Sequence, residues 1–251
     1  MTSTLTAAVT AACVFGGALI GVLFHHVLPA SHRSKETQEV VRLGTGMLSV
    51  LASLVLGLLI ATAKTTYDTA DRSLRGYSAD LVLLNETLRD YGNDATVPRD
   101  TLRRYTTQAL ADLWPQPGVA VKLENRTAGE LLERVRERIR ALHPVDDGQK
   151  WLQNQALDVS TSLLHQRWLL IEQEGPSVHP IVLGVLVSWI VVIFASFGFN
   201  APRNATVLAA FLVCSLSIGG SVFLIMEMDR PLEGLMKISS APMQSALAHM
   251  K

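Results

Sequence analysis

Four long apolar stretches, Leu5 to Leu28, Leu43 to Ala63, Ile181 to Phe199 and Ala205 to Met226, constrain the fold of this chain more than any other feature. A hydrocarbon layer about 30 Å thick is crossed by roughly 20 apolar residues in a helix, and each stretch meets that length. The chain is 49% hydrophobic yet 18% charged with zero net charge, so its apolar residues are gathered into blocks instead of being spread through one core. No Lys, Arg, Asp or Glu interrupts the blocks except at their edges, and the His25-His26 pair lies near the end of the first. That first block lacks a basic leading region and exceeds the apolar core of a signal peptide, about 7 to 15 residues, so it reads as a true span. Cys13 and Cys214 both fall inside apolar blocks, where a lone thiol behaves as a small hydrophobe and supports neither a disulfide nor a metal site.

Four spans put both termini and the Lys64 to Pro180 segment on one side of a membrane. Basic residues near span ends set the orientation. Lys64, Arg72, Arg75, Arg167, Arg230 and Lys237 lie on the side of the large segment, against Arg33, Lys35, Arg42 and Arg203 on the other. The expected placement is therefore a multi-pass protein of the cytoplasmic (inner) membrane, with membrane lipid as its surroundings and the central domain and both termini cytosolic. The expected divisions are 1–66 for the first two spans, 67–176 for a helical cytosolic domain, 177–230 for the last two spans and 231–251 for a cytosolic tail.

Within the central segment, Leu74, Tyr77, Leu81, Leu84, Leu88 and Tyr91 alternate three and four residues apart, the seam of a long helix continuing from the second span. After the turn-rich Gly92 to Val97, Pro98 suits a first helical position, and Leu102, Tyr105, Ala109 and Leu113 form a second apolar stripe. Thr127 followed by Glu130 reads as a capping box opening a helix lined by Leu132, Val135, Ile139 and Leu142, with Arg134, Arg136, Arg138 and Arg140 on its wet side. A last helix, about Gln149 to Glu174, carries Leu152, Ala156, Val159, Leu163 and Leu170 at similar spacing. Alternation of the kind that builds sheets is missing, so the whole chain reads as all-α: four transmembrane helices and a helical bundle inserted between the second and third.

Zero net charge and the lack of a basic, aromatic-interleaved stripe argue against a nucleic-acid partner. The sequence contains no His-Glu-x-x-His, Gly-x-Ser-x-Gly, Walker or dinucleotide pattern, so no enzyme activity, catalytic residue or cofactor is expected. His25, His26 and His32 suit interfacial polar anchors better than a metal site, and no metal is expected. Asp146-Asp147 reads as a helix start. The sequons at Asn85 and Asn125 carry little weight on a domain placed in the cytosol.

The second span carries a small, partly polar stripe: Gly46, Ser49, Ser53, Gly57 and Ala61 share one helical face that runs on to Lys64 and Thr65. Two readings stand: close helix packing, which small residues permit, and the wall of a pore, where small side chains leave room and hydroxyls meet ions or water. Gly17 and Gly21 in the first span, and Ser217 and Ser221 in the fourth, are packing candidates. Glu227, Asp229 and Arg230 at the inner edge of the fourth span need partners, and Glu227 and Arg230 are close enough along a helix to pair as a latch. In the polar turn Asn200 to Asn204, Arg203 is read as a headgroup anchor that could also attract anions. Asn200, Arg203, Glu227, Asp229 and Arg230 are thus structural or gating candidates.

Three segments together resemble a known family: Gly57-Leu-Leu-Ile-Ala-Thr-Ala-Lys64 leading to Tyr67-Asp68, Phe197 to Thr206, and Met228 to Gly234 followed by Ser239-Ser240-Ala241-Pro242. They resemble the bestrophin-like prokaryotic membrane proteins over nearly the whole chain, including the two-and-two division of spans. The resemblance implies distant kinship to bestrophins, homo-oligomeric anion-conducting channels whose pore is lined by the second span, with an inorganic ion as the permeant species. The aromatic constriction and the acidic calcium clasp of bestrophins have no counterpart in this sequence. An oligomeric ion channel is the expected function; the alternative is a non-conducting membrane scaffold or sensor that binds a protein through its cytosolic helices.

Overall fold

The computed structural model describes residues 3–24, 35–116, 121, 125–172, 178–202 and 204–250. Its elements are α1 (Ser3–Phe24), α2 (Lys35–Tyr91), a short 3-10 turn (Asn93–Ala95), α3 (Thr96–Leu113), α4 (Arg126–Arg140), α5 (Asp147–Glu172), α6 (Pro180–Asn200), α7 (Ala205–Met228) and α8 (Ala241–His249). The described residues contain no strand, and four helices are long and apolar enough to cross a membrane: α1, α2, α6 and α7. The protein is an all-α membrane protein.

The chain divides into two units. The first comprises Met1–Tyr67 and Pro176–Arg230, the second Asp68–Gly175 and Pro231–Lys251. In the first, α1 packs along both α6 and α7. Small residues set those contacts. A Cβ on Gly17 would stand 2.9 Å from the Val191 carbonyl oxygen, and one on Gly219 would stand 2.9 Å from that of Ala7. At Gly21 and Gly198 an added Cβ would overlap the backbone of Ala195 and of Ala18 respectively. In α7 the packed residues are Ser215, Gly219, Val222 and Ile225, whereas Ser217 is exposed and bonds back to the Val213 carbonyl. The Ser217 and Ser221 stripe expected from sequence is thus displaced by a fraction of a turn. A helix apolar on every side carries no amphipathic signal to fix its phase.

The second unit is a helical bundle around the buried residues Leu81, Leu84, Leu88, Leu102, Leu132, Ile139 and Leu163. Every position of the α2 seam read from the sequence is buried, from Leu74 to Tyr91. Removing each large aliphatic side chain from water contributes about 1.5–3 kcal/mol, which is why a period of 3.5 residues persists here. Gly92 ends α2: its φ of +112° is open to glycine and strained for other residues, and its N–H still bonds to the Arg89 carbonyl.

Two helix starts differ in detail from the sequence reading. α4 is capped by Asn125, whose side chain accepts from the Thr127 N–H, while Glu130 pairs with Arg126 and Arg134 instead of closing a capping box. α3 begins at Thr96, two residues before Pro98. Asp146 does cap α5, accepting from the Gln149 N–H at 2.7 Å. The C-terminal α8 docks within this unit. Met243 and Ala246 are buried, Asn85 donates to the His249 carbonyl, and Trp114 Nε1 donates to the Ile238 carbonyl at 2.9 Å.

Candidate pore helix

The membrane-crossing part of α2 has three faces. One packs inside the first unit: Ala52 is buried, and Leu48, Val55, Leu56 and Leu59 lie against the cluster containing Leu186, Ile190 and Ile193 of α6. Farther along, Ala63 is buried with Val178 and Ile225. Near the start of the helix, Thr45 Oγ1 donates to Ser196 Oγ at 3.0 Å, a polar link between α2 and α6. A second face carries large apolar side chains, Leu43, Met47, Val50, Leu54 and Leu58, each at least 65% exposed. At about 100° per residue, the small stripe lies roughly a quarter turn from that face and away from the packed one.

The residues of the small stripe are uncovered within the chain. Gly46, Ser53, Gly57, Ala61, Lys64 and Thr65 are exposed and Ser49 is half-buried. A Cβ added to Gly46 or Gly57 would meet nothing within 4 Å. Several hydroxyls along this part of α2 close onto their own helix: Ser49 to the Thr45 carbonyl, Thr62 to Leu58 and Thr65 to Ala61. Such bonds satisfy the donor locally and leave the side chain compact. Ser53 differs: its hydroxyl makes no hydrogen bond among the described residues, and it stands near the middle of the stripe. This arrangement offers a narrow, weakly polar, small-sided helix surface.

The other described candidates lie at the ends of α6 and α7. Asn200 closes the last turn of α6, donating to the Ser196 carbonyl at 3.0 Å. Glu227 and Asp229 are 4% and 8% exposed at the end of α7, and Asp229 accepts from the Val178 N–H at 3.3 Å. The Arg230 N–H donates to the Glu227 carbonyl, a backbone contact that completes the helix end. Asp229 is therefore a structural tie to the start of α6, a role that spacing along α7 alone did not reveal. Arg203, like the histidines 25, 26 and 32, lies outside the described residues.

Comparison with known proteins decides the family. A model of the Bestrophin-like domain matches residues 12–243. The chain belongs to the Bestrophin-like family. Its fold is shared with solved structures of a bacterial bestrophin homolog from Klebsiella pneumoniae. A point variant of that homolog is 13% identical, with 94% of this chain and 97% of the other covered at a TM-score of 0.64. The structure phased with zinc is 14% identical, with 93% and 96% covered and a TM-score of 0.61. No curated protein matches this Bestrophin-like chain in sequence. At such identity the likeness extends to the fold, and the four spans with an intervening helical bundle are the Bestrophin-like architecture.

Proposed function

We propose that this protein is the subunit of an oligomeric ion channel in the cytoplasmic membrane, with α2 lining the conducting path and the second unit standing in the cytosol. The carrying observation is that Gly46 and Gly57 are small without being crowded, on a span whose opposite face is packed. Glycine in a helix interior costs about 1 kcal/mol relative to alanine, so glycines that nothing presses on point to a need for space outside the chain. A path bounded by Gly46, Ser49, Ser53, Gly57 and Ala61 would be wide, with the Ser53 hydroxyl open to ions or water and Lys64 and Thr65 at its cytosolic end. The adjoining Leu43, Met47, Val50, Leu54 and Leu58 face would then meet neighbouring subunits or lipid. Membership in the family supports this reading, because bestrophins are anion channels. The excess of Lys and Arg at the span ends beside the second unit supports its cytosolic placement.

The test is ion flux through purified protein in liposomes under separate potassium and chloride gradients, with Ser53→Trp as the comparison. Flux that is lost in a variant still assembled as the wild type supports the channel. Loss of assembly would make the stripe a packing surface. Silence of the wild type under every gradient, voltage and pH would favour the scaffold or sensor, in which the second unit binds a protein partner.

A further inference from the structure

The core of the second unit contains a polar cluster among apolar side chains. Tyr77 of α2 and Tyr105 of α3 are at most 2% exposed, and their hydroxyls hydrogen-bond to each other. Arg167 of α5 lines the same cavity as Tyr105, and its Nη2 donates to the Asn125 carbonyl at 2.8 Å. Asp112 of α3 is buried, accepting at Oδ1 from Gln108 at 2.9 Å and at Oδ2 from Asn125 at 2.7 Å. Tyr77, Tyr105, Asp112 and Arg167, together with apolar residues including Leu113 and Leu170, wall a cavity of about 20 Å³.

The protons of this cluster can be counted. Burial pushes the Tyr77 phenol well above its ordinary range, with Tyr105 adding to the rise. Burial likewise raises Tyr105, and its bond to Tyr77 and the Arg167 charge only partly offset that, so both phenols are neutral at neutral pH. Each then carries one proton and can accept as well. A guanidinium only donates, so Arg167 takes up neither phenolic proton. One proton is spent between the two hydroxyls. The other, whichever tyrosine bears it, needs an acceptor beyond the pair, and a donor left unpaired at this depth is costly.

The walls select what supplies that acceptor. Each Asp112 oxygen retains lone-pair capacity after its amide donor, so a guest must accept from a phenol and donate to a carboxylate. A halide accepts but cannot donate to Asp112, whose charge opposes the attraction of Arg167 across the same cavity; an ammonium ion donates but has no lone pair. Water does both, and the cavity exceeds the roughly 10–15 Å³ that one water requires. We propose that the cavity is a binding site for a single water molecule, which accepts from the Tyr77–Tyr105 pair and donates to Asp112. It joins α2, α3 and α5 to Asn125, the cap of α4, through one continuous chain of hydrogen bonds.

The test is a crystal structure of the full-length protein, at a resolution that shows ordered water, from crystals grown with and without bromide. One peak within about 3.2 Å of a phenolic oxygen and of an Asp112 oxygen, with no bromine anomalous signal, is the expected result. An anomalous peak in the cavity would overturn the proposal in favour of an anion site. Well-ordered walls with no density between them would overturn it in favour of a dry cavity.

Discussion

Two sets of glycines in the first unit look alike in sequence and differ in surroundings. Gly17, Gly21, Gly198 and Gly219 lie where α1 meets α6 and α7, and a single added carbon on any of them would press on a neighbouring helix. Gly46 and Gly57 on α2 would meet nothing. In the first set, a missing side chain lets backbones approach, which is how membrane helices gain van der Waals contact without a hydrophobic driving force. In the second set it gains nothing inside the chain. A small-residue spacing is therefore ambiguous until the neighbouring helix is in place.

The tightest of these contacts are at Gly21 and Gly198, and Gly198 gives the largest expected effect. Gly198→Val would drive a branched side chain into the Ala18 backbone, where no flexible group can yield. Overpacking of this kind costs about 3 kcal/mol or more, and the expected outcome is loss of folded protein in detergent, read by size-exclusion chromatography and thermal melting. A variant that melts like the wild type would show that α1 and α6 do not pack through this contact. Gly57→Leu is the counterpart. It should not lower stability, and should raise it by up to about 1 kcal/mol through helix propensity at an uncovered position, while abolishing most flux in liposomes. If instead the oligomer falls apart, both glycine sets are packing surfaces, one within subunits and the other between them.

The second unit should respond to alkaline pH in a way that the glycines of the first do not. The phenols of Tyr77 and Tyr105 are raised above their unfolded value of about 10. Below that pH the phenols are protonated in both states and give no pH dependence. As pH rises above it, the unfolded chain loses phenolic protons first, so stability falls until the folded values are passed. Gly57→Leu should leave that alkaline limb unchanged in melts monitored from neutral pH to pH 11, whereas Tyr77→Phe should shrink it. An alkaline limb of undiminished size in Tyr77→Phe would remove these phenols as its cause.

How far the sequence disclosed all this depended on periodicity. The Leu74 to Tyr91 seam was legible because a half-wet helix has to keep its apolar residues in phase, and every member is buried. Phase was not legible in α7, where lipid accepts every face and Ser217 looked as suitable as Ser215. The α4 cap was misassigned because Asn125 and Thr127 are both good caps, and only tertiary contact with Asp112 favours the first. Helix α8 is nine residues long, with Asn85 bonding its His249 carbonyl, Ser78 reaching its Met243, and Trp114 bonding Ile238 just before it, all partners far away in the chain. The Tyr77, Tyr105, Asp112 and Arg167 cluster comes from three helices, so no local pattern announced it. The α2 stripe was visible from spacing, but spacing could not separate its two meanings.

The smallest expected effect separates them most cleanly. Gly46→Ala adds one methyl group at a position with no neighbour within 4 Å, in the interior of α2. Alanine is the better helix former by up to about 1 kcal/mol, so a glycine with no packing role should yield a protein that is slightly more stable. A path-lining role predicts that this gain comes with an altered flux, because the methyl group narrows the space that each subunit leaves open. A contact between subunits predicts the opposite sign, a lower melting temperature that depends on protein concentration, since the added carbon would separate helices that touch. Measuring melting temperature at two protein concentrations alongside flux therefore assigns the stripe. A concentration-independent rise in melting temperature with unchanged flux would leave Gly46 out of both the path and the interface, and would place the narrow part of any conducting route deeper, at Ser53 and Gly57.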